Sequence, residues 1–216
     1  MYKACIFDLD GTLTDTLESL TYSVNATLEE LGLEHITSDQ CRRFVGDGAK
    51  KLVERALVAA GDPEMKMAEV AVDTYKRIFS KNCTYLVEPY DGIVDMIKEL
   101  KNRDMKLAVF SNKPHLQTID VVETVFGKGV FDHIQGQKDG FPRKPDPKGL
   151  FEILNRFQIL PEEGIYVGDS EVDMKTGKSA GMLTVGVNWG FRSQKLLEDA
   201  GADATIDKAG ELLKFI

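Results

Sequence analysis

The sequence predicts an α/β protein: a Rossmann-like parallel sheet with helices on both faces, plus an all-helical segment inserted after the first strand. Three observations predict it. Beyond Pro89, short apolar runs alternate with helical patterns, as right-handed crossovers in a doubly covered parallel sheet require. About 68 residues of helical pattern separate the first apolar run from all the others. Three of the confident strands also give way at once to polar residues, which in a parallel sheet gather along one edge.

Taken in order, Ala4, Cys5, Ile6 and Phe7 form a buried strand that stops at Asp8. Leu17, Leu20, Val24, Leu28 and Leu31 then step by three and four residues to a glycine stop at Gly32, the pattern of an amphipathic helix. Residues 38–45 read as a second helix, and Ala49, Leu52, Val53 and Ala56 mark a third after Gly46-Asp47-Gly48. Asp62-Pro63 predicts the start of a fourth, a cap followed by proline in the first turn, carrying Ala68, Val72, Tyr75 and Phe79. No strand is expected between residues 14 and 81.

After Pro89, Ile93, Met96, Ile97 and Leu100 mark a helix, and residues 107–110 a buried strand. Leu116, Ile119, Val122 and Phe126 make the next helix, with a weak strand at 132–135. Leu150, Ile153, Leu154 and Phe157 define another helix and residues 165–167 the strand after it. A short helix ending at Ala180-Gly181, a strand at 183–187 and a last strand at Thr205-Ile206 precede a C-terminal helix. The expected division is a core of residues 1–14 and 82–216 and a helical cap of residues 15–81, hinged near 13–17 and 80–90.

Composition narrows the classes of function. With 43% hydrophobic and 29% charged residues the chain is an ordinary globular protein. A net charge of −8 disfavours binding to a nucleic-acid backbone, so any phosphate bound is expected to be small and held locally. Met1 to Phe7 runs into Asp8 too soon for a signal peptide, and no apolar stretch approaches the ~20 residues needed to span a bilayer. The expected setting is the cytoplasm, without membrane contact. Cys5, Cys41 and Cys83 are odd in number and far apart, so they read as small buried hydrophobes.

Asp8-Leu9-Asp10-Gly11-Thr12 is the centre of the pattern, because two carboxylates at a strand mouth repel unless a cation lies between them. Oxygen ligands of this hardness suit Mg²⁺. Three further polar clusters share the same sheet edge: Ser111-Asn112-Lys113, Arg143-Lys144-Pro145-Asp146-Pro147, and Gly168-Asp169-Ser170 with Asp173. Asp8, Asp10 and Asp169 offer oxygen atoms to one Mg²⁺, Ser111 binds anionic oxygens, and Lys144 supplies fixed positive charge. The set describes a phosphoryl site with Asp8 placed to attack phosphorus and Asp10 to move the proton. Taken singly, Lys144 is a surface lysine, Ser111-Asn112 a helix cap, and Asp173 a cap or a partner for Lys144.

Rival motifs fail by residue. An EF-hand starting at Asp8 needs Gly at 13 and Glu at 19, where Leu13 and Ser19 stand. Neither phosphate-loop nor dinucleotide glycine fingerprints occur, and Gly168-Asp169-Ser170 lacks the glycine of a nucleophile elbow. No cysteine has the arginine spacing of a cysteine phosphatase, and His35, His115 and His133 have no metal-ligand spacing.

In order and content, Asp8-Leu9-Asp10-Gly11-Thr12-Leu13, Ser111-Asn112-Lys113, Lys144-Pro145 and Gly168-Asp169-Ser170 with Asp173 resemble the four motifs of the haloacid dehalogenase-like phosphatases. The tail, Val187-Asn188-Trp189-Gly190-Phe191 and Gly201-Ala202-Asp203, is similar to the phosphoglycolate phosphatase branch. The resemblance implies Asp8 as nucleophile, Asp10 as acid/base, and Mg²⁺ on Asp8, the Asp10 carbonyl and Asp169. It implies Ser111, Asn112 and Lys144 as phosphoryl binders, with Thr12, Ser170 and Asp173 in support. Arg43 with Gly46-Asp47-Gly48 resembles the cap segment facing the site, where it would select substrate.

The expected activity is hydrolysis of a small phosphomonoester, 2-phosphoglycolate first, by a monomer or homodimer. The alternatives are a pyrophosphatase or a sugar-phosphate phosphatase or mutase on the same core, since the motifs read only the phosphoryl group. A receiver-type signalling domain would need about 120 residues and no insert, and a non-catalytic phospho-ligand binder would be expected to lack a catalytic residue.

Overall fold

Side-chain parity along three short strands decides the architecture. In the computed structural model, which describes residues 1–216, β1 (Ala4–Phe7) is buried along its whole length. Successive side chains of a strand point to opposite faces. Cys5 and Phe7 therefore join a large apolar cluster on one face, while Ala4 and Ile6 join a smaller one on the other. Strands β4 (Lys106–Pro114) and β6 (Gly164–Gly168) flank β1 in parallel and obey the same parity. Leu107, Val109, Ile165 and Val167 face the large cluster; Ala108, Phe110 and Tyr166 face the small one.

The sheet is completed by β5 (His133–Gln137), β7 (Leu183–Val187) and β8 (Ala204–Ile206), in the order β5-β4-β1-β6-β7-β8, all parallel. The chain runs outward from β1 to β4 and β5, then returns to the other side of β1 with β6. That reversal is a topological switch point, and the carboxyl ends of β1 and β6 open on it.

Helices cover both faces: α5 (Ile93–Asn102), α6 (His115–Phe126), α7 (Lys148–Phe157), α8 (Glu171–Ala180) and the short α9 (Gln194–Asp199). Leu150, Ile153 and Leu154 of α7 seal the smaller face. The C-terminal segment Ala209–Phe215 is a 3-10 helix rather than an α-helix. No helix is long and apolar enough to cross a membrane.

Between β1 and the rest of the sheet lie α1 (Leu17–Glu30), α2 (Ser38–Phe44), α3 (Ala49–Ala59) and α4 (Ala68–Asn82). α2 opens with a capping box in which Thr37 and Gln40 satisfy each other's backbone. α4 begins at Ala68, five residues beyond Pro63: Asp62 instead accepts from the N–H groups of Lys66 and Met67 and closes a separate turn ahead of the helix. The two ends of this segment are joined by strands the sequence pattern does not predict. β2 (Thr14–Asp15) pairs antiparallel with β3 (Glu88–Pro89), and Tyr90 N–H reaches Leu13 O at 3.2 Å.

Candidate active site

Asp8 follows Phe7 and shares the parity of Ile6, so its side chain falls on the face that carries Phe110 and Tyr166. Its N–H is bonded to Val167 O at 2.9 Å, which extends strand pairing through the aspartate and fixes it beside the end of β6. Lys144, in the loop before α7, projects its ammonium into the same place. Nζ lies 2.9 Å from Asp8 Oδ1 and 2.7 Å from Asp173 Oδ1. It also donates to Phe110 O and Tyr166 Oη, both at 3.2 Å.

An ammonium has three protons. Asp173, Phe110 O and Tyr166 use all three, so Lys144 offers Asp8 Oδ1 charge but no aligned hydrogen bond. That oxygen is buried without a hydrogen-bond donor.

The rest of the cluster is tightly determined. Ser170 and Asp173 form the capping box of α8: Ser170 Oγ donates to Asp173 Oδ2 at 2.5 Å and accepts from Asp173 N. Tyr166 Oη donates to Asp173 Oδ1 at 2.9 Å. Asp169 Oδ2 accepts Phe191 N–H at 2.7 Å, and Asp169 Oδ1 accepts the Thr12 hydroxyl at 3.3 Å. Glycines permit this approach. A Cβ on Gly11, at φ +84°, would lie 2.4 Å from Asp169 Oδ2, and one on Gly190 would lie 2.3 Å from Asp169 Cβ.

The carboxylates of Asp8, Asp169 and Asp173 place one oxygen each within 4.8 Å of one another. Fully ionised, three carboxylates beside one lysine would leave two negative charges in a buried space, and without a cation the cluster relieves that by holding protons. Burial is the main reason the Asp8 carboxyl is pushed up to about 7, with Asp173 and Asp10 adding to the rise and Lys144 opposing it. Burial also pushes Asp169 well above the usual carboxylate range, helped by Asp173 and Asp8. For Lys144 burial favours the neutral amine, but Asp173 and Asp8 outweigh it and hold the charge. The orphaned oxygen, the all-oxygen donor set and the residual double negative charge fit a hard divalent cation.

A cleft of about 560 Å³, counting its mouth, opens above this cluster. Asp8, Asp10, Ser111, Asn112, Asp169, Ser170 and Gly46 all line it. Lys144 and Asp173 lie behind Asp8, and Thr12 lies behind Asp169. Asn112 joins the loops: its amide donates to Lys144 O and Gly46 O and accepts Lys144 N–H. Leu20, Ala49, Leu52, Tyr75 and Phe79 form an apolar wall contributed by the inserted helices.

Arg43 corrects the sequence expectation: it is exposed and does not line the cleft, because the wall turns inward only at Val45. The Asp10 carboxylate departs from the cluster as well. It pairs with Lys113 Nζ at 2.8 Å instead, with that ammonium 4.8 Å from the Phe79 ring centre. Lys113, Tyr166 and Arg192 are site residues that the sequence reading did not single out. Lys113 stood in a quoted motif, whereas Tyr166 was concealed in an apolar strand.

The family model described as haloacid dehalogenase-like hydrolase matches residues 5–187, and the chain belongs to that family of enzymes. Within it, the chain is similar to proteins named phosphoglycolate phosphatase. One from Aquifex aeolicus is 30% identical over 99% of this chain and 96% of its own length, and one from Nitrosospira multiformis is 30% identical over 99% and 95%. A crystal structure described as a candidate phosphoglycolate phosphatase, from Lactobacillus delbrueckii subsp. bulgaricus, superposes with a TM-score of 0.90 at 33% identity, covering 100% of this chain and 98% of that one.

Proposed function

We propose that the protein hydrolyses a small phosphomonoester, 2-phosphoglycolate first, with Mg²⁺ as cofactor and an aspartyl-phosphate intermediate on Asp8. The observation that carries the reading is the Asp8 oxygen buried without a donor, beside a fixed lysine, at the switch point of the sheet. The relatives' names support the substrate.

In this reading, Asp8 and Asp169, with the Asp10 carbonyl, hold Mg²⁺ and Asp173 supports them through Lys144 and Ser170. Bound there, the ion neutralises carboxylate and phosphoryl charge. Ser111 binds the phosphoryl oxygens, Lys144 contributes fixed positive charge from behind Asp8, and Asn112, its amide engaged by Gly46 and Lys144, holds the loops around them. Asp8 attacks phosphorus as the Asp10 carboxyl gives a proton to the departing oxygen; Asp10 then takes a proton from the water that cleaves the acyl phosphate. Lys113 fixes the direction of the Asp10 carboxyl.

We assign residues 15–81 as a cap over a core of residues 1–14 and 82–216, with the β2–β3 ribbon as its hinge. The apolar wall excludes water and surrounds the leaving group. A substrate panel with Mg²⁺ tests the proposal. Turnover of 2-phosphoglycolate above other esters is expected, and a preference for pyrophosphate or a hexose phosphate overturns the substrate assignment. Absence of turnover on every phosphoester overturns the phosphatase reading.

A further inference from the structure

The loop after β7 touches two parts of the site at once, the stretch after β1 and Asp169. Trp189 Nε1 donates to Thr12 O at 3.0 Å, Gly190 packs against Asp169, and Phe191 N–H binds Asp169 Oδ2. The next side chain, Arg192, reaches the inserted helices. Nη1 donates to Arg42 O at 2.9 Å and Nη2 to Val45 O at 2.7 Å, both at the C-terminal end of α2. Nε donates to Glu171 Oε2 at 3.2 Å, which fixes the plane of the guanidinium. The side chain is only 13% exposed.

The two carbonyls belong to the end of α2, where the last turn's acceptors lack helical partners and attract a cation. A planar fork presents donors to two such acceptors and a carboxylate in one rigid plane, a geometry an ammonium does not have. Two other residues of the sheet loops donate to the same stretch: Asn112 to Gly46 O and Arg143 to Asp47 O. Arg192 alone belongs to the loop whose backbone orients Asp169.

We infer that Arg192 is a positioning residue that fastens the end of α2 over the cleft and, through its peptide link to Phe191, holds Asp169 in the orientation needed for a metal ion. The inference rests on the proposed reading of Asp169 as a metal ligand. Its physical content is a linkage: seating α2 on Arg192 immobilises Phe191 N–H, and a carboxylate held by an outer partner binds its ion more tightly.

The test uses the full chain as wild type, Arg192→Gln and Arg192→Lys, with two readouts that need no turnover. Amide hydrogen exchange at Val45–Gly48 reports the seating of α2, and calorimetric titration with Mg²⁺ reports Asp169. The expected result for Arg192→Gln is exchange faster by about tenfold at those amides and Mg²⁺ binding weaker by about tenfold. Arg192→Lys, which keeps the charge and loses the fork, shows both changes in smaller degree, and serves in place of Arg192→Gln if that variant does not fold. A loss of thermal stability with unchanged exchange and unchanged Mg²⁺ affinity makes Arg192 merely structural and overturns the inference. Failure of the phosphatase reading is separate: it appears as absent turnover in the wild-type panel, whatever the two Arg192 readouts give.

Discussion

Replacing Lys144 by methionine keeps most of the aliphatic volume and removes the only cation that touches Asp8 and Asp173. Lys144 is 2% exposed, and its carboxylate partners are 12% and 0% exposed. Removing one member of a buried pair costs about 3–5 kcal/mol, because the remaining charge is neither paired nor solvated. For a chain of this size that corresponds to a fall in Tm of roughly 6–20 °C. The loss should depend on pH with a definite sign. Asp8 already sits at about 7 in the wild type, and Lys144 is the main influence holding it down. Without Lys144 it rises further, so above about pH 7 the folded variant holds a proton that the folded wild type has released, while at lower pH both hold it.

A group raised on folding contributes stability that is present below its unfolded value and is lost as pH rises through the folded one. The variant's deficit should therefore be largest near pH 8 and narrow towards pH 5.5, by about 1.4 kcal/mol for each pH unit over which it holds one extra proton. Urea unfolding of both proteins in EDTA, followed by circular dichroism at pH 8 and 5.5, measures this. Added Mg²⁺ should recover part of the loss at pH 8. A deficit below about 1 kcal/mol, or one of equal size at both pH values, would refute the account of a buried charge cluster balanced by Lys144.

Three other outcomes are expected. Asp8→Asn should abolish turnover while raising metal-free stability by a few kcal/mol at pH 8, with the gain shrinking below pH 7 and vanishing only below about pH 4, where the unfolded carboxyl is protonated too, since amide replaces a carboxylate that burial disfavours; equal Tm values at pH 8 would contradict this. Mg²⁺ affinity, measured by calorimetry, should weaken about tenfold between pH 8 and pH 6 as protons compete for Asp8, and a flat profile would remove Asp8 from the ligand set. Gly190→Ala should cost about 1–3 kcal/mol and most Mg²⁺ binding, because its Cβ would meet Asp169 at 2.3 Å; unfolding and metal titration of the variant check both.

Much of the fold was legible because most of the sheet strands carry a short run of apolar residues followed by polar ones, although β4 runs on through Ser111, Asn112 and Lys113 to Pro114. The run Ala4–Phe7 and the run Leu183–Val187 have the limits the pattern predicts. The β2–β3 ribbon was not, since two-residue strands have no periodicity to detect. Asp62-Pro63 misplaced the start of α4 because the same residues that cap a helix also close a turn. At the site, strand ends were informative: Asp8, Ser111 and Asp169 lie around one cleft as parallel strands require. Arg43 and Arg192 show the limit. The family resemblance put Arg43 beside Gly46 at the site, but the arginine that ties this segment to the Asp169 loop comes from about 150 residues away, through contacts that no local pattern encodes.

The central place of β1 also sets the order in which the molecule can be completed. Its residue Ala4 pairs with Lys106 on one side and Gly164 on the other. During synthesis at about 5–20 residues per second, the strand that carries Asp8 leaves the ribosome roughly 10–30 s before its second neighbour exists. Helices α1–α4, whose contacts are local, can form in that interval. The first strand made thus stays open along one edge until β6 arrives, and only then can the carboxylate cluster close.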